Sequence, residues 1–281
     1  MEPLVTAVVL NYNSGNECEK CVKSLAEQDY DNLNILVIDN NSTKEDEKNI
    51  LAKIEKKYNV KIILNNVNGG FSAGNNIGLK QAVKDGAVWC LVINPDVVID
   101  NRQYIKGMIK RITDYSLAVV AASKMILPSG ERQNPYCEIS YSGELLWFLD
   151  AIKLRYGKSN CYLLPDETGY CPKVSGCCFF IKSEFLLEIG FLDENVFLYC
   201  EEPILASQVR QHGYRELYVS EIQAYHNHVP SQKGSTRKRM QNLLTSRIYY
   251  LKRYSGYRGI KLFMVLNSKR LQKLFWKIRG E

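Results

Sequence analysis

The first hundred residues alternate short apolar runs with stretches whose apolar positions recur at helical spacing. Val5 to Leu10, Asn34 to Ile38, Val60 to Leu64 and Ala87 to Ile93 read as strands, while Glu17 to Gln28, Glu45 to Tyr58 and Ser72 to Asp85 read as helices. Strands separated in this way predict an α/β fold with a mainly parallel central sheet covered by helices on both faces, because helical crossovers bury both sides. Parallel connections also send each strand C-terminus to one edge, where open α/β sheets bind ligands.

Four polar clusters follow directly on those strands: Asn11-Tyr12-Asn13, Asp39-Asn40-Asn41-Ser42, Asn65 to Gly70, and Asn94-Pro95-Asp96. The pattern predicts that they converge on one rim. Each also admits a plainer reading. Asn94-Pro95-Asp96 suits a turn as well as a lone carboxylate that could hold a divalent cation. Asp39 suits the N-cap of a helix starting near Thr43 as well as an acceptor for the imide N–H of a uracil or thymine. The small residues of Asn68 to Gly78 would let backbone approach a ligand closely. That stretch lacks both G-x-G-x-x-G and the Lys of a phosphate-binding P-loop, which weakens kinase and dinucleotide-enzyme readings.

Further along, residues 101 to 113 read as a helix, Ala118 to Ser123 as a strand and Pro128-Ser129-Gly130-Glu131 as a turn. Asn134 to Pro172 is irregular and aromatic, which suits an acceptor-side wall or lid. Val174 to Ile181 reads as a strand, followed by a short helix from Ser183 to Gly190 with Ser183 as its N-cap. The acid pair Glu201-Glu202 has no Lys or Arg between Lys182 and Arg210 to neutralise it. Burial and like charge raise a carboxyl pKa toward that of a general base, although a solvated helix N-terminus would also accept two acids. His226 and His228 follow the strand-like run Leu217 to Tyr225 and would share a face, as a metal or phosphate contact requires. His212 reads as a helix C-terminus.

With 281 residues, 46% of them apolar, the chain can bury one substantial core and a small appendage. Nine cysteines, odd in number and with Cys177 beside Cys178, do not form a disulfide framework, so a reducing compartment fits. Cys18 and Cys21 stand one helical turn apart, and zinc would need a second ligand pair. The start Met1-Glu2-Pro3 lacks a secretory pattern and no apolar run reaches membrane-spanning length, so the expected location is cytoplasmic. The net charge of +7 hides an asymmetry: residues 233 to 281 carry fourteen Lys and Arg against one acid, Glu281. Met240, Leu243, Leu244, Ile248 and Leu251 recur at helical spacing. So do Leu271, Leu274, Phe275 and Ile278 among Lys269, Arg270, Lys273, Lys277 and Arg279, a cationic amphipathic helix with Phe275-Trp276 as an aromatic anchor. It suits an anionic membrane surface; the other uses of such a helix are packing on the core and nucleic-acid binding, and no nucleic-acid motif accompanies the charge. The chain thus divides into residues 1–232 and a basic helical tail, 233–281.

Taken in order, Val8-Val9-Leu10-Asn11-Tyr12-Asn13, Val37-Ile38-Asp39-Asn40-Asn41-Ser42, Asn68 to Gly78, Asn94-Pro95-Asp96, Val174-Ser175-Gly176, Phe191-Leu192-Asp193-Glu194 and Phe197 to Glu202 resemble family-2 glycosyltransferases of the GT-A fold, in particular bacterial rhamnosyltransferase-like members. The resemblance covers about residues 4 to 254. It implies inverting transfer of a sugar from a nucleoside diphosphate, dTDP- or UDP-linked, to a hydroxyl of a glycan or lipid-linked acceptor; the basic tail adds the expectation of a peripheral position at the inner face of the cytoplasmic membrane. Carried onto matching positions, it gives Asn11, Asn13, Asp39, Asn40, Asn68, Gly70, Asn76 and Asn94 to the nucleotide pocket and Asp96 to a Mg²⁺ or Mn²⁺ on the diphosphate. His226 or His228 would join that metal, and Glu202, beside Glu201, would be the catalytic base. Many relatives read x-Asp-Leu-x-x-Arg after the acid pair, whereas this chain has Ile204 and Gln208 there. Those departures keep open a nucleotide-sugar-binding partner without catalysis. A nucleotidyltransferase is disfavoured because no Gly-rich loop ending in Arg or Lys follows the first strand, and the resemblance leaves oligomerisation open.

Overall fold

A computed structural model describes residues 2–149, 163–227 and 235–278, so His228 lies outside the described residues. The alternation appears as β1 (Val5–Asn11), α1 (Gly15–Ala26), β2 (Leu33–Asp39), α2 (Glu47–Tyr58), β3 (Lys61–Leu64), α3 (Phe71–Lys84) and β4 (Trp89–Ile93). There follow β5 (Val97–Val98), α4 (Tyr104–Thr113), β6 (Ala118–Ile126), α5 (Tyr141–Leu145), β7 (Gly169–Cys171), β8 (Cys178–Lys182) and α6 (Ser183–Ile189). The chain then forms α7 (Glu201–Gln211), β9 (Arg215–His226), α8 (Thr236–Arg253) and α9 (Gly259–Ile278).

These strands make one sheet in the order β3-β2-β1-β4-β8-β6-β9-β5, with β7 pairing β9. From β3 to β4 all pairings are parallel. Beyond β4 the sheet is mixed, because β8 runs antiparallel to both β4 and β6. The chain reaches β8 from the C-terminal edge of β4, where the Asn94 N–H donates to the Cys177 carbonyl at 2.8 Å, so no helix reverses its direction.

Alternate residues of each inner strand serve opposite faces, which is why these strands read as unbroken apolar runs. Val5, Ala7, Val9, Val37, Leu91 and Ile93 pack with α1, α2 and α4. Val8, Leu36, Ile38, Cys90 and Val92 pack with α3, α6 and α7. Cys18 and Cys21 are fully buried free thiols in the first of these layers.

Two local expectations give way. Val174 to Cys177 is not strand: the Val174 N–H donates to Glu216 Oε2 at 2.7 Å and the Ser175 N–H to Asn134 Oδ1 at 2.7 Å, so side chains replace the ladder. Ser183 is the first helical residue, not the cap; its N–H donates to the Val88 carbonyl, and Lys182 occupies the cap position.

The tail helices α8 and α9 fold back on each other and on the start of α7. Tyr250, Leu251 and Val265 close a third apolar cluster with Val196, Cys200 and Ile204. One buried carboxylate ties three elements together: Glu144 of α5 pairs with Arg247 of α8 and, at 3.0 Å, with Lys269 of α9. Among the described residues no helix is long and apolar enough to cross a membrane.

Candidate active site

The register of the parallel half puts the polar strand ends side by side: Asn11 lies opposite Asp39, and Asp39 opposite Leu64, whose successor begins the third cluster. Asn11 is fully buried, and its Nδ2 donates to Asp39 Oδ1 at 3.0 Å and to Glu47 Oε1 at 2.9 Å. Asp39, 3% exposed, also accepts from the Ser42 hydroxyl at 2.6 Å and the Ser42 N–H at 3.2 Å. It therefore organises its own turn. It does not cap α2, whose cap position is Asp46.

Asn13 fastens the next loop, with its Oδ1 accepting from the Thr43 and Lys44 N–H groups at 2.7 and 3.0 Å. Asn40 Nδ2 donates to Asn68 Oδ1 at 3.0 Å and to the Gly70 carbonyl at 3.1 Å, while its Oδ1 accepts from Asn65. Gly70 has φ +93°, and a Cβ there would fall 2.1 Å from the Phe197 carbonyl oxygen, so only glycine lets this loop lie against the segment leading to the acid pair. The other small residues have a different use from the one their sequence suggests. A Cβ on Gly74 or Gly78 would meet Leu10 or Val8 at 2.6 or 2.5 Å, so they bring α3 close to the sheet rather than to a ligand.

Asn76 does not join the rim. Its Nδ2 donates to the Leu192 carbonyl at 2.8 Å and Glu194 Oε1 at 2.7 Å, and its Oδ1 accepts from the Leu192 N–H at 3.1 Å. That saturated amide pins Phe191-Leu192-Asp193-Glu194 to α3. Asp193 in turn accepts from the Tyr249 and Tyr254 hydroxyls at 2.8 and 2.5 Å, anchoring α8.

Asn94 to Val97 is a turn, closed by Val97 N–H donating to the Asn94 carbonyl at 3.1 Å, and it also presents a carboxylate. The antiparallel pairing of β5 with β9 sets Val97 opposite His226, which brings His226 Nε2 to 3.3 Å from Asp96 Oδ1. The other ring nitrogen, Nδ1, donates its hydrogen to Gln133 Oε1 at 2.7 Å. With Nδ1 donating, Nε2 faces the carboxylate oxygen, a position that either a shared proton or a metal ion fills. Burial works against a charged imidazole, yet Asp96 beside it lifts His226 well above its ordinary range. The same oxygen and nitrogen, at roughly the separation of neighbouring ligands about 2.1 Å from one ion, suit a Mg²⁺ or Mn²⁺. No cluster of three or more His, Cys, Asp or Glu suited to a metal occurs among the described residues. An ion held by Asp96 and His226 would take most of its coordination shell from other oxygens, such as phosphate and water.

The acid pair opens α7 after two successive residues in the left-handed region, Tyr199 with φ 71° and Cys200 with φ 68°, a backbone that needs support from its surroundings. Glu202 Oε1 accepts from the Gly176 N–H at 3.4 Å. Residue 176 is next to Cys177, which holds the Asn94 turn, so the base candidate and the cation pair are joined through one dipeptide. Glu201 turns inward, with Oε1 shut off from solvent and without a hydrogen-bond partner among the described residues. Burial first, and the Glu202 charge second, push its carboxyl well above the usual range. The expected upward shift therefore falls on Glu201.

Three residues escaped the sequence reading. Gln133 orients His226, and Glu47 shares Asn11 with Asp39. Glu216, 3% exposed, lines the same cleft as Glu201, Glu202 and Gln208, and burial pushes it to about 8. Only Glu216 left a sequence signal, as an acid directly before the apolar run Leu217-Tyr218-Val219.

A family model described as "Glycosyl transferase family 2" matches residues 6–179. The low-salt glycan biosynthesis hexosyltransferase Agl10 of Haloferax volcanii is 25% identical over 227 residues, which cover 79% of this chain and 67% of that protein. The mannosyltransferase PcManGT of Pyrobaculum calidifontis, solved with GDP-Man and Mn²⁺, superposes with a TM-score of 0.62 at 14% identity, covering all of this chain and 77% of its own. S. aureus TarS (residues 1–349), solved with UDP-GlcNAc, gives 0.61 at 17% identity, covering 97% of this chain and 72% of that one. The shared architecture is the GT-A fold: a central mixed sheet between helical layers.

Proposed function

The chain belongs to glycosyl transferase family 2, and on that premise we propose that it is an inverting, metal-dependent enzyme moving a sugar from a nucleoside diphosphate to a hydroxyl of a growing surface polysaccharide or lipid-linked glycan. One observation carries the reading: Gly176 and Cys177, consecutive in the chain, hold Glu202 on one side and the Asn94–Asp96 turn on the other. Base and cation pair thereby flank a single reacting centre.

Glu202 takes the proton from the acceptor hydroxyl on the face opposite the leaving group, as a single displacement requires. Burial favours the protonated form of Glu201. Asp96 and His226 would hold the cation, with Gln133 fixing the orientation of the histidine ring. When bound, Mg²⁺ or Mn²⁺ offsets the negative charge gathering on the departing diphosphate. Asn13, Asp39, Asn40, Asn68 and Gly70 shape the wall against which the nucleotide of a dTDP- or UDP-linked donor lies.

Rhamnose or a hexose is the transferred sugar, and the name of the haloarchaeal relative favours a hexose and a glycan product. Residues 1–232 carry the catalysis, and the basic tail keeps the enzyme peripheral to the inner face of the cytoplasmic membrane, where a lipid-linked acceptor would reside. A binder without catalysis would draw support from Ile204 and Gln208. Ile204, however, is buried against Tyr250, Leu251 and Val265, which accounts for an apolar residue there without any loss of the base.

The test is release of nucleoside diphosphate from a panel of dTDP-, UDP- and GDP-sugars with Mn²⁺. Release that glycan acceptors stimulate and a chelator abolishes is expected. No release from any donor, with calorimetric donor binding intact, would replace the transferase with the binder.

A further inference from the structure

Helix α9 carries two apolar faces, and the fold uses one of them. Leu262, Val265 and Leu266 turn inward to the third cluster, on the side from which Lys269 reaches Glu144. At 3.6 residues per turn, Ile260, Phe263, Met264, Leu271, Leu274 and Ile278 form a second stripe on the opposite side. These six side chains are 42–75% exposed. The stripe runs roughly 27 Å along the helix at 1.5 Å per residue. Lys261 flanks it on one side and Arg270 and Lys277 on the other, all exposed. At its far end the Trp147 ring lies 5.9 Å from Phe275, and the exposed Phe148 and Leu149 extend the apolar patch onto the helical turn that carries Trp147.

An apolar stripe of this length, interrupted only by Asn267, marks a surface that something covers. A second copy of the chain docked face to face would bring its own Lys261, Arg270 and Lys277 against these, a like-charge contact. An anionic bilayer answers both halves of the pattern: its acyl boundary accepts the stripe and its phosphates the flanking cations. We propose that the outward face of α9 is a bilayer-docking surface that lies in the plane of an anionic membrane. This deepens the peripheral location proposed above and names the residues that make it. It also sets a geometry. Val265 on the inward face of α9 shares a cluster with Cys200 and Ile204 at the start of α7, so the acid pair lies on the side of α9 away from the membrane, about one helix spacing, roughly 10 Å, from its axis. That height suits a sugar chain close to its lipid anchor.

Co-sedimentation of the full chain with phosphatidylcholine vesicles, with and without phosphatidylglycerol, tests the surface. Wild type should bind the anionic vesicles roughly tenfold more tightly than neutral ones. The variant Phe263→Ser/Leu271→Ser/Leu274→Ser, whose changes are all outward and whose folding is checked by circular dichroism, should lose binding by a similar factor. Lys261→Gln/Arg270→Gln/Lys277→Gln should lose the preference for anionic lipid. Wild type left in the supernatant, serine-variant binding equal to wild type, or a wild-type dimer that the serine variant disperses without any vesicle binding would each overturn the surface. Nucleoside diphosphate release in solution, measured on the same proteins, should be unchanged by either variant. Vesicle binding without donor turnover would remove the transferase and leave the surface; turnover without vesicle binding would do the reverse.

Discussion

The two sides of the cleft are built on opposite principles. On the side of β1 to β3, asparagine amides and the Asp39 carboxylate satisfy one another: Asn11, Asn13, Asn40 and Asn68 all bond to protein partners, with Asn11 Oδ1 the exception. On the side of β8, α7 and β9, carboxyls are packed where burial disfavours their charge, and Glu201 Oε1 and Gln208 Oε1 are buried without hydrogen-bond partners among the described residues. A network that satisfies itself is rigid and presents a fixed shape. Buried acids under electrostatic stress are ready to exchange protons. On the function proposed above, shape recognition and proton chemistry would come from different halves of one sheet.

Replacing Glu202 with Gln should break the reactive side alone. Transfer should fall about 10²- to 10⁴-fold, the range for loss of a general base, with donor affinity by calorimetry unchanged. An equal loss of donor affinity would mean that the two sides are not separate. Glu144→Ala leaves Arg247 and Lys269 buried without their carboxylate, and a cost of about 3–5 kcal/mol in a denaturant titration is expected. Gln133→Ala frees the His226 ring, so Mn²⁺ affinity by calorimetry should drop about 10- to 100-fold, with Gln133→Glu restoring most of it.

The smallest effect concerns Glu216. Its folded-state pKa is raised, so between the unfolded value and about 8 the native state binds the extra proton. Stability is then present at low pH and lost as pH rises through that window. Glu216→Gln should remove this slope, and the melting-temperature difference between wild type and variant should shift in favour of the variant from pH 5 to 8. A constant difference would place the proton elsewhere.

The shape-giving side was largely legible because a doubly buried strand announces itself as an apolar run and its C-terminal residues fall on one rim wherever the crossovers lead. What was illegible depends on contacts distant in sequence: Gln133 meets His226 across 93 residues and Arg247 meets Glu144 across 103, and no local periodicity marks either pair. The misread strand at Val174 to Cys177 has the same origin. Its composition is strand-like, but Glu216 and Asn134 take its backbone N–H groups. For the acid pair the chemistry was legible and the allocation was not, since only the fold decides which of two adjacent carboxyls turns inward.

The roof that α8 and α9 place over α7 has a consequence for anyone recombining such chains. Because Ile204 sits where resembling sequences often carry Asp, and because it is covered by Tyr250, Leu251 and Val265, residue 204 and the tail form a matched set. A chimera that takes the head from one parent and the tail from another must carry residue 204 with the tail, or it seals an aspartate under an apolar lid. A chain cut near residue 232 makes the converse error and leaves Val196, Cys200 and Ile204 facing water beside the acid pair.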